Sequence, residues 1–338
     1  MNKSGTTFGH QNVTSFTTDN STMQAEDFSG IKVFKICIYL AISVVGLIGN
    51  GLVIFVTGYK MKTTVNSIWL LNLAIADFIF SLTLFIRFIL ALCKLVCHFG
   101  DFIWKFLLFM IYLNMFASIF LLTTISLDRC LCTWMVVWSR NNRTLFKARI
   151  ISKVVWVLSI SCSIPAVINH ATAMPEVHGK NTTFIKSYKS LVTFRFIVGF
   201  FIPFLVIASS YISIGIRVKS LKKRMQFRSY RVIIALVLAF FICWLPFHIQ
   251  EFYDISAKEN QWSESAKDVL LQTKAVVNCL AFLSSCLNPI LYVFMCDEYK
   301  KKLKQSLLLV LETAFAEDHQ DFKVSNQTED VAISVLAS

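Results

Sequence analysis

Seven stretches of this chain are apolar for the length of a membrane-crossing helix, and the segments between them are polar and mostly basic. They run Val33–Gly58, Val65–Leu92, Asp101–Trp134, Ile150–Asn169, Val192–Ile216, Val232–Phe252 and Val269–Met295. Roughly 20 apolar residues of helix cross a hydrocarbon core, so each stretch predicts one span. The fold class that follows is an all-α membrane protein, a seven-transmembrane helix bundle. The third stretch exceeds what a bilayer core needs, which predicts a tilt or a projection past one face. It ends in Leu127-Asp128-Arg129-Cys130. An Asp-Arg pair at that boundary is tolerable if the two neutralise each other or reach headgroups. Taken alone it is equally well a snorkelling anchor.

The polar segments alternate in sign along the chain. Lys60 and Lys62 follow the first span, Arg140, Arg143, Lys147 and Arg149 lie between the third and fourth with Lys153 in the first turn of the fourth, and Arg217 to Arg231 contribute seven more basic residues between the fifth and sixth. Lys300, Lys301, Lys302 and Lys304 follow the seventh, whereas the opposite segments mix Glu251, Asp254, Glu259, Glu264 and Asp268 with Lys258 and Lys267. The positive-inside rule then puts the N-terminus outside and the C-terminus in the cytosol, which an odd number of spans allows.

Composition narrows the class further. The chain is 56% hydrophobic and 16% charged, with mean hydropathy +0.62, which excludes an ordinary soluble domain. Its net charge of +13 is spread over the short connecting segments rather than gathered into a groove, so it indicates topology and not nucleic acid. Eleven Gly and five Pro argue against a barrel or a broken-helix transporter. The six histidines are scattered without metal-ligand spacing and no nucleophile–base pair stands out, so no enzyme, metal or cofactor is expected.

The ends read as appendages. An extracellular glycosylated tail is expected over 1–32, the bundle over 33–295, a membrane-surface helix over 296–311 and a disordered cytosolic tail over 312–338. No cleavable signal stands at the N-terminus, so the first span is expected to act as the signal. Asn2, Asn12 and Asn20 head acceptor tripeptides in the tail, and Asn181 heads another between the fourth and fifth spans. Leu303, Leu307, Leu308 and Leu311 among lysines give the surface helix its amphipathic pattern. Cys296 at its start is either palmitoylated or an unmodified thiol.

Polar residues inside the spans form an ordered set: Asn50, Asp77, Ser118, Trp156, Pro203 with Tyr211, Trp244 before Pro246, and Asn288-Pro289 before Tyr292. An intramembrane aspartate must face inward and find partners, and Asn50, Ser118 and Asn288 are the natural ones for Asp77. Proline in the seventh span frees a carbonyl that a polar neighbour or water must satisfy.

From the first span to the helix after the seventh, the chain resembles the rhodopsin-like G-protein-coupled receptors, and among them the formyl peptide receptors. The resemblance rests on Leu71 to Phe78, Leu127 to Cys132, Arg195 to Phe200, Phe240 to Pro246 and Ser285 to Met295. Its divergence elsewhere is similar to that of the rodent related-sequence members rather than the principal leukocyte receptor. The resemblance implies a chemosensory or chemoattractant receptor for peptides or small molecules in the plasma membrane. It implies partners in a heterotrimeric G protein of the inhibitory class and, by extension, arrestin. It makes Asp128, Arg129, Tyr211, Trp244, Asn288, Pro289 and Tyr292 an activation switch. In that switch Arg129 leaves Asp128 on activation, and Asn50, Asp77, Ser118 and Asn288 form a polar cluster able to hold sodium.

The departures from the family matter as much. Trp104 stands where the family has the cysteine of its loop-to-helix disulfide, and the loop offers no cysteine either, so none is expected. Tyr112 replaces an aspartate of the ligand pocket, Leu191 replaces an outer arginine, and Val136 replaces the proline after Asp128-Arg129. Arg195 matches the inner arginine and is a plausible clamp for a carboxylate or peptide carbonyl. Phe109, Arg87, Phe247, His248 and Glu251 are further ligand candidates by helical position. The lost disulfide and altered pocket also raise an alternative: a receptor-shaped protein that signals weakly and acts by pairing with, or scavenging for, other receptors.

Overall fold

The computed structural model describes residues 16–92, 96–172, 182–220, 227–260, 262–295 and 301–305. Among them every regular element is helical. In chain order these are α1 (Phe16–Phe55), a π-helical turn (Val56–Lys60), α2 (Val65–Leu92), α3 (Val96–Trp134), α4 (Val136–Asn142) and α5 (Leu145–Thr172). There follow α6 (Thr182–Phe196), a second π turn (Ile197–Phe201), α7 (Ile202–Ser220), α8 (Phe227–Asn260) and α9 (Glu264–Met295). Among the described residues seven helical runs are long and apolar enough to cross a membrane, as the hydropathy predicts, with α6, the second π turn and α7 making one continuous span.

Helix ends differ from the apolar boundaries. The fourth span begins at Leu145 rather than Ile150, the fifth at Thr182 rather than Val192, and the seventh at Glu264 rather than Val269, while the sixth runs to Asn260 rather than Phe252. Hydropathy marks where hydrocarbon stops, whereas a helix continues while its backbone stays paired. The projecting turns here are tied to each other: Lys189 of α6 pairs with Glu259 of α8 at 2.9 Å, and Lys274 of α9 pairs with Asp254 of α8. Helix α1 likewise reaches back to Phe16, into the segment read as an extracellular glycosylated tail, with no proline to stop it.

Helix α3 is the axis of the bundle, packed against α2, α5, α7 and α8. Met115, Phe116, Ile119 and Leu121 on it are fully buried. The second π turn lies just before Pro203, which has no N–H to offer the Gly199 carbonyl; Ile202 N–H instead bonds the Ile197 carbonyl. Close approach is enforced where α1 meets α2 and α9. A Cβ at Gly46 would lie 2.2 Å from Ser81 Oγ, and one at Gly49 would lie 2.7 Å from Pro289 Cγ. Ser81 cannot readily turn aside, because its hydroxyl donates to the Asp77 carbonyl at 2.7 Å. Gly46→Ala is therefore expected to lower stability by about 1–3 kcal/mol through overpacking. A thermal-unfolding series in detergent checks this, with Ser81→Ala partly restoring the loss.

Candidate functional site

Three polar assemblies lie along the bundle. The first is on the half where α6 begins. Arg195, in the last turn of α6, is 2% exposed and pairs with Glu251 of α8, itself 5% exposed. Its guanidinium carbon lies 4.4 Å from the Tyr112 ring centroid and 5.8 Å from that of Phe247. Tyr188, two turns earlier on α6, donates its hydroxyl to Glu251 Oε2 at 3.3 Å. Tyr112 thus does not leave Arg195 without an acidic partner: the carboxylate comes from Glu251, and the ring offers the cation its π face. Two buried polar atoms here make no hydrogen bond, Arg195 Nε and His248 Nε2. The His248 ring is wedged among Phe196, Phe200 and Phe247 at 5.0 to 5.7 Å.

Of the remaining ligand candidates, Phe109 is half-buried one turn before Tyr112 on α3. Arg87 sits over the Tyr39 ring at 5.5 Å, a contact between α2 and α1 rather than with Arg195.

Beneath this pair the Trp244 indole is 1% exposed, stacked on Phe240 and edge-on to Phe247, and its N–H donates to Ser284 Oγ at 3.2 Å. Deeper still is Asp77, 1% exposed. Asn114 Nδ2 donates to its Oδ1 at 3.0 Å and Asn288 Nδ2 to its Oδ2. Asn50 is not among its partners, contrary to the sequence reading; its amide donates to the Gly46 and Ser285 carbonyls at 3.0 and 3.1 Å. Ser118 and Ser285 are buried beside the same carboxylate, as the sequence reading expects of Ser118, although the Ser118 hydroxyl is not within strict hydrogen-bonding geometry of it. Buried oxygens of Ser118 and Ser285 beside the carboxylate are the kind of donor set that suits a hard cation, and Asn50 Oδ1 is a further buried oxygen without a hydrogen bond.

The third assembly is at the far end of α3. Asp128 does not have Arg129 as its principal partner. Arg143, just beyond α4, grips it with two parallel bonds, Nε to Oδ1 and Nη2 to Oδ2, both 2.8 Å. Burial alone would lower the Arg143 pKa, but the Asp128 carboxylate outweighs it and raises the value. Arg129 stays 3.8 Å from Asp128 Oδ2 and turns to Asn66 Oδ1. Val136, in place of the family's proline, opens α4, so this helical turn forms without a preset φ. Tyr211 is half-buried against the same core from α7. Trp134 donates to the Ser213 carbonyl at 3.1 Å and lies under Arg217, tying α3 to α7.

The side chains of Tyr292, Trp104, Cys97 and Asn20, and all of Cys93, Asn2, Asn12, Asn181 and Cys296, fall outside the described residues. Residues 301–305 are helical and Leu303 touches the core, within the stretch read as a surface helix. Every cysteine described is a free thiol.

A family model described as "7 transmembrane receptor (rhodopsin family)" matches residues 49–292. The chain belongs to the rhodopsin family of seven-transmembrane receptors. It is 36% identical over 310 residues to the C3a anaphylatoxin chemotactic receptor of Danio rerio, covering 90% of this chain and 83% of that protein. To the Chemerin-like receptor 1 of Sus scrofa it is 34% identical over 333 residues, covering 90% of each. To the fMet-Leu-Phe receptor of Macaca mulatta it is 33% identical over 318 residues, covering 89% of this chain and 90% of that one. The identity is nearly equal to three receptors of different printed ligand, so it singles out none of them. The chain is a multi-pass membrane receptor with a ligand and a G protein as partners, and not an enzyme.

Several of the receptor's site residues escape a reading of the sequence alone. Asn114 could have been found, since it is one turn before Ser118 and so shares its face of α3. Tyr188 lies in a polar stretch outside the apolar boundary. Arg143 reads only as a topology marker and Asn66 at the start of the second span carries no signal, because their pairing with Asp128 and Arg129 depends on how α2, α3 and the segment after α4 come together.

Proposed function

We propose that this receptor detects peptides or small molecules through a neutral hydrogen-bond acceptor that enters beside Arg195, and signals through an inhibitory-class G protein. The observation that carries this is the Arg195–Glu251 pair itself. With its charge already matched by Glu251, Arg195 gains little from a second carboxylate, but its Nε donor is buried and unpaired. A formyl or amide carbonyl fits that vacancy. Displacement at Phe247 would press on Trp244 beneath it, which is the route from ligand to helix α8.

In this reading the α1 end is extracellular and the Asp128 end meets the G protein and, after it, arrestin. Asp77, Ser118 and Asn50 would hold a sodium ion in the resting state, where its charge would compensate the Asp77 carboxylate.

The test is G-protein activation in cells expressing the receptor, challenged with formylated and unformylated versions of the same peptides. Surface display is followed through an N-terminal tag. A formyl-dependent response is expected, and it should vanish in Arg195→Met/Glu251→Met, which removes both charges together and so spares the fold. Equal responses to both peptide forms would reject the carbonyl-acceptor reading. Silence with normal display would move the reading to the weakly signalling alternative.

A further inference from the structure

Trp244, Phe247, His248 and Glu251 stand at i, i+3, i+4 and i+7 of α8, so they share one face of that helix. Arg195 closes on this stripe from α6, paired with Glu251 and with its guanidinium carbon 5.8 Å from the Phe247 ring centroid. His248 lies one turn before Glu251, its ring 5.6 Å from that of Phe247. Phe196 and Phe200 pack on it as well, at 5.7 and 5.0 Å. The His248 side chain is therefore enclosed by rings, yet the charge of Arg195 acts on it.

Two buried polar atoms of this neighbourhood are left unmatched, Arg195 Nε and His248 Nε2, on side chains 2% and 1% exposed. They differ in kind. Arg195 Nε bears a hydrogen and can only donate, whereas a neutral imidazole has one N–H and one bare nitrogen that accepts. A lone pair is drawn toward a nearby cation and an N–H is pushed away from it, so Arg195 favours a bare nitrogen on the side it faces. A phenylalanine at 248 would fill the same space with no polar atom. A buried nitrogen without a partner costs about 1–3 kcal/mol, so its presence among the rings calls for a group that completes it.

We infer that His248 Nε2 is the acceptor for a ligand N–H, and that the group this receptor recognises is a secondary amide read at both ends. The amide oxygen accepts from Arg195 Nε and the amide N–H donates to His248 Nε2. In a trans amide these two atoms point in opposite directions, so the group lies between the two side chains. The inference rests on the carbonyl-acceptor reading proposed above and narrows it. Esters, ketones and N-alkylated amides present the oxygen without the hydrogen, and His248 is the residue that selects against them. His248 is also one helical turn from Trp244, so an amide held there acts directly above the indole.

The experiment measures G-protein activation by the full chain in cells, with surface display followed through an N-terminal tag. Three versions of one methionyl peptide are compared: N-formylated, unformylated, and an analogue whose formamide N–H is replaced by an ester oxygen. The ester is expected to need about 10- to 100-fold more ligand than the formamide, because it leaves His248 Nε2 facing an oxygen. An ester carbonyl also accepts less well, a loss that does not depend on His248. His248→Phe should therefore shrink the gap to that remainder, while His248→Gln, which keeps an acceptor at similar reach, should preserve most of it. His248→Phe should display at least as well as the unmodified receptor, since it strands no nitrogen. Equal potency of formamide and ester on the unmodified receptor would overturn this inference and leave the carbonyl-acceptor reading standing. A gap of undiminished size in His248→Phe would mean that another group reads the N–H, and would overturn the assignment to His248. Equal responses to formylated and unformylated peptides, or silence toward all three at normal display, would overturn both.

Discussion

Glu251→Ala alone is expected to cost the receptor about 3–5 kcal/mol, the usual consequence of stranding one member of a buried ion pair. Arg195 would keep a charge at 3% side-chain exposure among the Tyr112 and Phe247 rings, the Tyr188 hydroxyl and His248, none of which carries a negative charge. Rings stabilise a cation by a fraction of what a carboxylate does. Display at the cell surface and the unfolding midpoint in detergent should both fall sharply. Glu251→Gln should fall less, since its amide oxygen still accepts. Removing both charges in Arg195→Met/Glu251→Met should recover most of the loss, because apolar groups of similar volume can replace a buried pair at little cost. Stability and recognition then separate: the double variant folds and displays, and it does not answer a formylated peptide. A Glu251→Ala receptor as stable as the unmodified one would show that the pair is not buried as described, and the carbonyl-acceptor reading would fall with it.

What was legible in the sequence follows from what each signal depends on. The seven spans, the inward Asp77 and the Arg195–Glu251–Phe247–His248 neighbourhood are consequences of local composition and helical period, which a chain carries openly. Partner choice inside the bundle is different, because several polar groups compete for each acceptor and only the helix register decides. Asp77 illustrates this: Asn50 was as good a candidate as Asn114 by chemistry, yet Asn50 spends its donors on two backbone carbonyls. Tyr112 illustrates the converse. Read as a substitution it deletes an acid, but in the fold it stacks on a cation whose acid comes from another helix.

Arg143→Ala is the variant expected to change signalling most. Arg143 holds Asp128 by two charge-assisted bonds at 13% exposure of the aspartate, so the grip is worth roughly 1.5–3 kcal/mol. In the function proposed above the G protein docks at this end and reaches Arg129, and the Arg143 grip ties the segment after α4 to the residue next to it. Losing the grip shifts the resting-to-active ratio by the same free energy, about 10- to 150-fold. Basal nucleotide exchange without ligand should therefore rise in Arg143→Ala. Asp128→Asn should raise it to a similar level, because it breaks the same bonds from the other side. The double variant is the deciding measurement: two residues acting through one contact give no more than the larger single effect. Additive effects would mean that Asp128 restrains the receptor through Arg129 after all, as the 3.8 Å separation between them would then have to allow.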